Sequence, residues 1–168
     1  DRVQMRLPTD YQMPEGGLNI RLPASPLAGP QALEQELRLH RDTLAAAVAY
    51  ARANGLDRVV SDGTGRRFGI VTCGKSYLDV RQALEELGLD ESEVRRLGVA
   101  LYKVGLTWPL EPMGARRFAE GLEEVLVIEE KRSLVEFQLK EQLYSLPDAR
   151  RPRVIGKYDE TGAWILPS

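Results

Sequence analysis

The sequence predicts an α/β fold: a three-layer α/β/α sandwich with a mostly parallel sheet of about five strands, preceded by an extended N-terminal arm. Three observations support this prediction. Short apolar runs recur through residues 56–168, helical stretches of about ten residues separate most of them, and residues 1–30 hold five of the ten prolines. Strands joined by such helices form right-handed βαβ units and therefore a parallel sheet. The 168 residues suffice for about one domain.

Residues 1–30 are predicted to form an extended arm rich in proline and glycine. Proline fixes φ and pushes the preceding residue out of the helical region, which disfavours a helix there. Leu18, Ile20 and Leu22 alternate with polar residues, so we expect part of the arm to lie as a strand against another surface.

A long helix is predicted over 31–54, within the segment 31–55. Apolar residues from Leu33 to Ala51 fall on one helical stripe, and Asn54-Gly55 supplies a left-handed stop. His40 lies on the same stripe, where a packed or solvent-edge histidine is favoured over a catalytic base.

The α/β domain is predicted over 56–168 from local signals. Phe68–Cys73 is a mostly apolar run that ends at Gly74, typical of a buried strand. Ser76 and Asp79 form a capping-box pattern at the start of a helix that ends at Gly88. The other predicted elements are a strand at 57–60, a helix from Asp90 to Gly98, strand Val99–Val104, a helix at 111–121, strand Val125–Ile128 covered on both faces, a helix from a Ser133–Glu136 capping box to Tyr144, and strand Val154–Ile155.

The composition excludes several functional classes. With 23 basic and 25 acidic residues the net charge is −2, which argues against binding to nucleic acid or to a membrane. One cysteine and one histidine cannot build an internal disulfide, a four-cysteine zinc site or an iron–sulfur site within this chain. We expect a cytoplasmic protein. Because the first residue is Asp1 rather than methionine, we also expect the chain to be a segment of a longer polypeptide.

Gly69–Ser76 matches the P-loop pattern G-x-x-x-x-G-K-[ST], which holds nucleotide phosphates. A true P-loop leaves the four residues between its glycines free to wrap phosphate, and its strand comes first. Here those four residues, Ile70–Cys73, are themselves the predicted strand. A P-loop-like nucleotide-binding domain is therefore an alternative rather than the favoured interpretation.

Four residues are candidates for ligand binding from their positions alone. Gly74, Lys75 and Ser76 lie where a strand leads into a helix N-terminus. This geometry can bind anions through backbone N–H groups; the alternative is a tight turn with no ligand. Glu129 follows a buried strand, at the edge where α/β sheets hold ligands, or pairs with the adjacent basic residues. We expect Cys73 to be an inert thiol, and predict no catalytic residue and no metal ligand.

Six segments together resemble an internal domain of indolepyruvate ferredoxin oxidoreductase, within the 2-oxoacid:ferredoxin oxidoreductase family. The most specific are Gly-Lys-Ser-Tyr and Lys-Val-Gly-x-x-Trp-Pro-Leu. The segments are Met13–Arg21, Gly69–Val80, Leu101–Leu110, Glu124–Arg132, Gln138–Tyr144 and Arg151–Lys157.

This resemblance implies a fold similar to the transketolase C-terminal domain, which buttresses neighbouring thiamine-binding domains and organises a homodimer. The parent enzyme would decarboxylate aryl pyruvates on thiamine diphosphate and Mg²⁺, pass electrons through iron–sulfur clusters to ferredoxin, and form an acyl-CoA from coenzyme A. The family's diphosphate-binding Gly-Asp-Gly does not occur here. We therefore expect this chain alone to hold no cofactor and to be inactive. A plain interaction or dimerisation module is the remaining alternative.

Overall fold

The computed structural model of the chain describes residues 4–18, 29–159 and 161–165. It divides into two compact units, Asp1–Gly55 and Leu56–Ser168. Of the alternating residues predicted to form a strand in the arm, Ile20 and Leu22 lie outside the described residues.

The first unit is built on the predicted long helix. Its helical segments are α1 (Pro30–Arg38), a π-helical stretch (Leu39–Thr43) and α2 (Leu44–Asn54). The helix ends at Gly55, whose φ of 56° gives the expected left-handed stop. The described arm residues lie along this helix: Arg6 and Asn54 exchange two hydrogen bonds of 2.7 and 2.8 Å, and the Tyr11 hydroxyl donates to the Asp42 carbonyl at 2.9 Å.

The second unit contains the predicted sheet, with five strands in the order β1-β3-β2-β4-β5. Only β1 runs antiparallel to its neighbour; the other three pairings are parallel, so a mostly parallel sheet is confirmed. The strands are β1 (Arg58–Ser61), β2 (Phe68–Cys73), β3 (Val99–Val104), β4 (Glu124–Ile128) and β5 (Arg153–Ile155).

Helices cover both faces of this sheet, which confirms the three-layer arrangement. They are α3 (Ser76–Glu86), α4 (Glu91–Arg96), α5 (Pro112–Ala119) and α6 (Val135–Tyr144), with a short 3₁₀ turn at Asp148–Arg150. Val80 of α3 packs on Ile70 and Leu101 on one face. On the other face, Phe118 of α5 and Leu139 of α6 belong to a larger core that also includes alternate residues of β2, β3 and β4.

Strand β4 is covered unequally, although its sequence predicts burial on both faces. Val125 and Val127 are fully enclosed in the larger core, whereas Leu126 and Ile128 on the opposite face are half-buried. The reason is the smaller helical cover on that face, where α3 supplies most of the packing.

Neither of the two predicted capping boxes is present, whereas the helix predicted to begin at Asp90 is capped by that residue. The Asp90 carboxylate accepts the backbone N–H groups of Ser92 and Glu93 at 2.8 and 2.9 Å. The Ser76–Asp79 capping box is wrong: Ser76 already lies inside α3 and is buried, while the Asp79 carboxylate binds Lys75 instead. The Ser133–Glu136 box is also wrong, because the carboxylate that caps α6 comes from Glu129.

Gly69 allows α5 and the segment after it to approach the sheet closely. A Cβ added there would lie 2.6 Å from Leu122 Cδ1 and 3.0 Å from Phe118 Cε1. We therefore expect Gly69→Ala to lower the free energy of unfolding by about 1–3 kcal/mol, measured by urea denaturation. In a Leu122→Ala background the extra cost should be smaller, because the closest contact is gone and only the contact with Phe118 remains. Strictly additive costs would contradict this packing role.

The loop after β3 carries the Trp108–Pro109 peptide bond in the cis form. The Trp108 side chain is half exposed, whereas Leu110 is buried. Gln138 of α6 fixes the loop by accepting the Leu110 N–H and donating to the Thr107 carbonyl, both at 2.8 Å. The loop is therefore folded against its own domain and still presents one tryptophan to solvent.

Candidate functional site

An open groove of about 420 Å³ lies at the carboxyl ends of β2 and β4. Helix α3 follows β2 on one face of the sheet and α6 follows β4 on the other, so this is a topological switch point, where open α/β sheets hold ligands. Three of the four candidates line it; Ser76 does not. The lining residues are Cys73, Gly74, Lys75, Thr107, Glu129, Glu130, Lys131, Arg132 and Leu134.

The segment Ile70–Cys73 is part of the central strand. Ile70 is paired with Leu101 of β3 and with Leu126 of β4, and the ladder to β3 continues to Cys73. Backbone groups committed to two neighbouring strands cannot also wrap a phosphate. The P-loop interpretation of Gly69–Ser76 is therefore wrong, and the first glycine of that pattern serves the packing described above.

Lys75 lies at the turn from β2 into α3. Gly74 adopts a positive φ of 53°, which reverses the chain. The Lys75 ammonium binds both carboxylate oxygens of Asp79, one turn along the helix, at 2.7 and 2.9 Å. This hydrogen bond and the charge of Asp79 raise the lysine pKa. The turn thus has the tight geometry expected, with its cation already paired.

Glu129 caps helix α6. One carboxylate oxygen accepts the N–H groups of Leu134 and Val135 at 3.0 and 2.9 Å, and the other accepts that of Glu136 at 3.0 Å. Only 9% of the residue is exposed. The Leu134 N–H also donates to the Arg132 carbonyl at 2.9 Å, whereas the N–H groups of Val135 and Glu136 belong to the first turn of the helix and need an acceptor from outside it. These N–H groups and the positive end of the helix attract the carboxylate, which gives Glu129 a structural role as the cap of α6.

Glu136 is fully buried and serves a different purpose from the predicted capping box. Its carboxylate accepts the N–H groups of Lys157 and Tyr158 at 2.9 and 3.3 Å and binds the Lys140 ammonium at 2.7 Å. Gly156 packs against it so closely that an added Cβ would lie 2.5 Å from a carboxylate oxygen. The sequence carried a signal for this in the Glu136–Lys140 spacing, but not for the contact with the chain after β5.

A half-buried carboxylate fixes the loop after β3. One oxygen of Asp57 accepts the N–H groups of Gly105 and Leu106 at 2.7 and 3.1 Å.

The Tyr102 ring stacks on Phe118 with centroids 4.9 Å apart. Burial, followed by the nearby carboxylates, raises the pKa of the Tyr102 hydroxyl, which keeps it protonated.

Cys73 is half-buried at the end of β2. Burial, and then the negative charges of Glu129 and Glu130, raise the pKa of its thiol. Because thiolate is the reactive form, this supports the expectation of an inert thiol.

We predict that Cys73 reacts with iodoacetamide more slowly than free cysteine at pH 8, with a rate that keeps rising above the ordinary thiol pKa of about 8.5. Glu130→Gln should speed the reaction, because it removes one of the charges that raise the pKa. Mass spectrometry over a pH series measures both. A rate equal to that of free cysteine at pH 8 would contradict this description of the groove.

Among the described residues, no three His, Cys, Asp or Glu side chains are grouped so that they could hold a metal ion. No helix in the described ranges is long and apolar enough to cross a membrane.

Comparison with known proteins decides the family. The family model for the indolepyruvate ferredoxin oxidoreductase middle domain matches residues 57–165. The chain belongs to this family. The match covers the whole α/β unit from β1 to the segment after β5, so the sheet and the groove described above are features of a middle domain.

Curated relatives that match the chain are subunits of indolepyruvate oxidoreductases. The chain is 35% identical over 86 residues to the indolepyruvate oxidoreductase subunit IorA of Methanothermobacter marburgensis, covering 51% of this chain and 13% of that protein. It is also 35% identical over 78 residues to IorA of Thermococcus kodakarensis, covering 46% and 11%. The matched part of the chain thus spans only about an eighth of each of these relatives.

Among solved structures, the chain is similar to a chain of the 2-oxoglutarate:ferredoxin oxidoreductase from Magnetococcus marinus. The superposition has a TM-score of 0.49 and 19% identity, and covers 79% of this chain and 21% of the other.

Proposed function

We propose that this middle domain is a non-catalytic, structural domain of an indolepyruvate:ferredoxin oxidoreductase that depends on thiamine diphosphate and iron–sulfur clusters. The parent enzyme would oxidatively decarboxylate an aryl pyruvate, form an acyl-CoA and reduce ferredoxin. The family match and the IorA relatives support the parent reaction.

The observation that supports the non-catalytic role is that the candidate side chains in the groove at the carboxyl edge are either already paired or held in an unreactive form. Glu129 is committed to capping α6, Lys75 to its ion pair with Asp79, and the Cys73 thiol is held protonated. General acid–base or nucleophilic catalysis would require at least one of these groups to be unpaired and to have a pKa near neutrality. Glu129 instead caps α6, and Lys75 pairs with the first turn of α3.

We propose that thiamine diphosphate, Mg²⁺ and the iron–sulfur clusters are held by other domains of a cytoplasmic parent, next to which this domain packs. This chain has one cysteine, too few for an iron–sulfur cluster, and it lacks the Gly-Asp-Gly segment that would hold Mg²⁺ and the diphosphate. Purified full-length parent should contain bound thiamine diphosphate and the visible absorption of iron–sulfur clusters. A parent that lacks both would refute the assignment.

An aromatic patch supports a role in organising the dimer. We define it as Leu134, Phe137, Tyr158 and Trp164. The Phe137 and Tyr158 rings are stacked with centroids 5.5 Å apart, and Trp164 meets Tyr158 edge-on at 4.9 Å. Phe137 and Trp164 are 54% and 47% exposed. Aromatic side chains of this kind are enriched at the cores of protein interfaces, and we propose that a second copy of the domain covers them.

Light scattering after gel filtration tests the dimer. We expect the chain to form a dimer at micromolar concentration and Phe137→Ser combined with Trp164→Ser to convert it to a monomer. Leu78→Ser, which removes an equally exposed apolar side chain from α3, is the matched control and should leave the dimer intact. A chain that is monomeric at all concentrations, or a double variant that stays dimeric, would count against the proposal.

A further inference from the structure

A second groove, of about 580 Å³, lies at the opposite edge of the sheet, where the parallel strands begin. Its walls come from the end of α5, from the segment that leads into β4 and from the segment between α6 and β5. We call it the arginine groove. Its lining residues are Arg116, Arg117, Glu120, Gly121, Leu122, Glu123, Leu146, Ala149 and Arg150.

The arginine groove has positive charge that the domain does not use. Within the ranges that the structure describes, the guanidinium groups of Arg117 and Arg150 form no hydrogen bond or ion pair. Arg116 is held in place by a 3.1 Å hydrogen bond from Nε to the Gln142 carbonyl, which leaves its two terminal nitrogens for a ligand.

The acidic side chains of the groove do not cancel this charge. Glu123 is already bound by Arg67, through two hydrogen bonds of 2.6 Å that lower the pKa of the glutamate. Glu120 offsets one of the three lining arginines, so a surplus of two positive charges is left. A phosphate group carries about −1.5 to −2 near neutral pH, whereas a carboxylate carries one charge. Guanidinium groups also bind phosphate oxygens in pairs.

The rest of the lining is apolar. Leu122 is buried, Leu146 packs against the main core, and Ala149 is an exposed apolar residue of the lining. A volume of about 580 Å³ lies within the ordinary range of small-molecule sites. We infer that the arginine groove binds an organic phosphate that joins a phosphate group to a flat apolar part, a nucleoside diphosphate being the type that fits. This site is independent of the dimer and of the parent reaction proposed above.

Calorimetric titration of the 168-residue chain with ADP, without metal, tests the inference. We expect saturable binding, and a loss of about tenfold in affinity for Arg117→Gln and for Arg150→Gln. Arg96→Gln on α4, which removes an exposed arginine far from the groove in sequence, is the matched control and should bind ADP like the wild type. Thermal unfolding checks that each variant is folded. Adenosine should bind at least about tenfold more weakly than ADP, because it lacks phosphate.

Besides the pyrophosphate control described last, four results would overturn the inference. They are no binding of ADP at millimolar concentration, equal binding by the variant that carries both arginine replacements, adenosine that binds as tightly as ADP, and a glutamate-rich peptide that binds more tightly than ADP and displaces it. The last result would assign the groove to an acidic protein segment instead. Inorganic pyrophosphate separates the contribution of the phosphate groups from that of the apolar wall. It should compete with ADP but bind more weakly, since it has no apolar part to contact that wall. Failure to compete would also contradict the phosphate site.

Discussion

Replacement of Glu136 by alanine is expected to lower the free energy of unfolding by about 3–5 kcal/mol, because it removes a fully buried carboxylate that accepts two backbone N–H groups and pairs with the partly exposed Lys140. The variant leaves the Lys140 ammonium and the N–H groups of Lys157 and Tyr158 without their shared acceptor. It also opens a void beside Gly156, which packs directly on the carboxylate.

Urea denaturation followed by circular dichroism measures this effect. Glu141→Ala, which removes an exposed acid from the same helix, is the matched control and should change stability by less than about 0.5 kcal/mol. Glu136→Gln should fall between the two, since an amide oxygen still accepts one N–H group but pairs poorly with Lys140. A loss below about 1 kcal/mol for Glu136→Ala would show that the buried carboxylate is not what holds the chain after β5 against α6.

Replacement of Glu129 by alanine should cost about 2–3 kcal/mol. Loss of an ordinary helix cap costs about 1–2 kcal/mol, and here a nearly buried carboxylate caps three N–H groups at once. Glu130→Ala is the control, because Glu130 is the exposed neighbour and caps nothing in the described structure. Amide hydrogen exchange gives the specific readout: protection of Leu134 to Glu136 should fall in the Glu129 variant more than in the rest of α6. Equal losses for the two glutamates would refute the capping role.

The sheet could be predicted because its strands are short apolar runs that end at strong turn signals. The residues of Phe68–Cys73 and Val99–Val104 predict these two strands on their own, since the hydrophobic effect buries such runs whatever surrounds them. The predicted strand at 57–60 differs by one residue from the antiparallel edge strand β1, whose direction depends on the pairing of Val59 with Tyr102 and not on local sequence.

The helix caps could not be predicted in the same way. The pattern Ser-x-x-Glu at Ser133–Glu136 is local, but the carboxylate that reaches the helix comes from upstream, at Glu129. The chain between them reverses through Lys131, whose φ of 58° is unusual for a residue with a side chain. Whether Glu129 or Glu136 caps α6 depends on the path of the loop between them, and the spacing of the residues in the sequence does not reveal that path.

The Gly69–Ser76 pattern illustrates the same limit. Its letters fit a phosphate-binding loop, whereas its glycine is explained by contact with Phe118 and Leu122, which are more than 45 residues away in the chain. The arginine groove was not predicted at all, because its three arginines come from two separate segments that only the fold brings together.

Titration of the chain with thiamine diphosphate and Mg²⁺, followed by calorimetry, tests the central claim most directly. If the groups at the carboxyl edge serve only the architecture of the domain, the titration should show no heat beyond dilution at millimolar cofactor. Saturable, Mg²⁺-dependent binding at micromolar concentration would mean that this chain carries a cofactor site of its own, and would contradict the account.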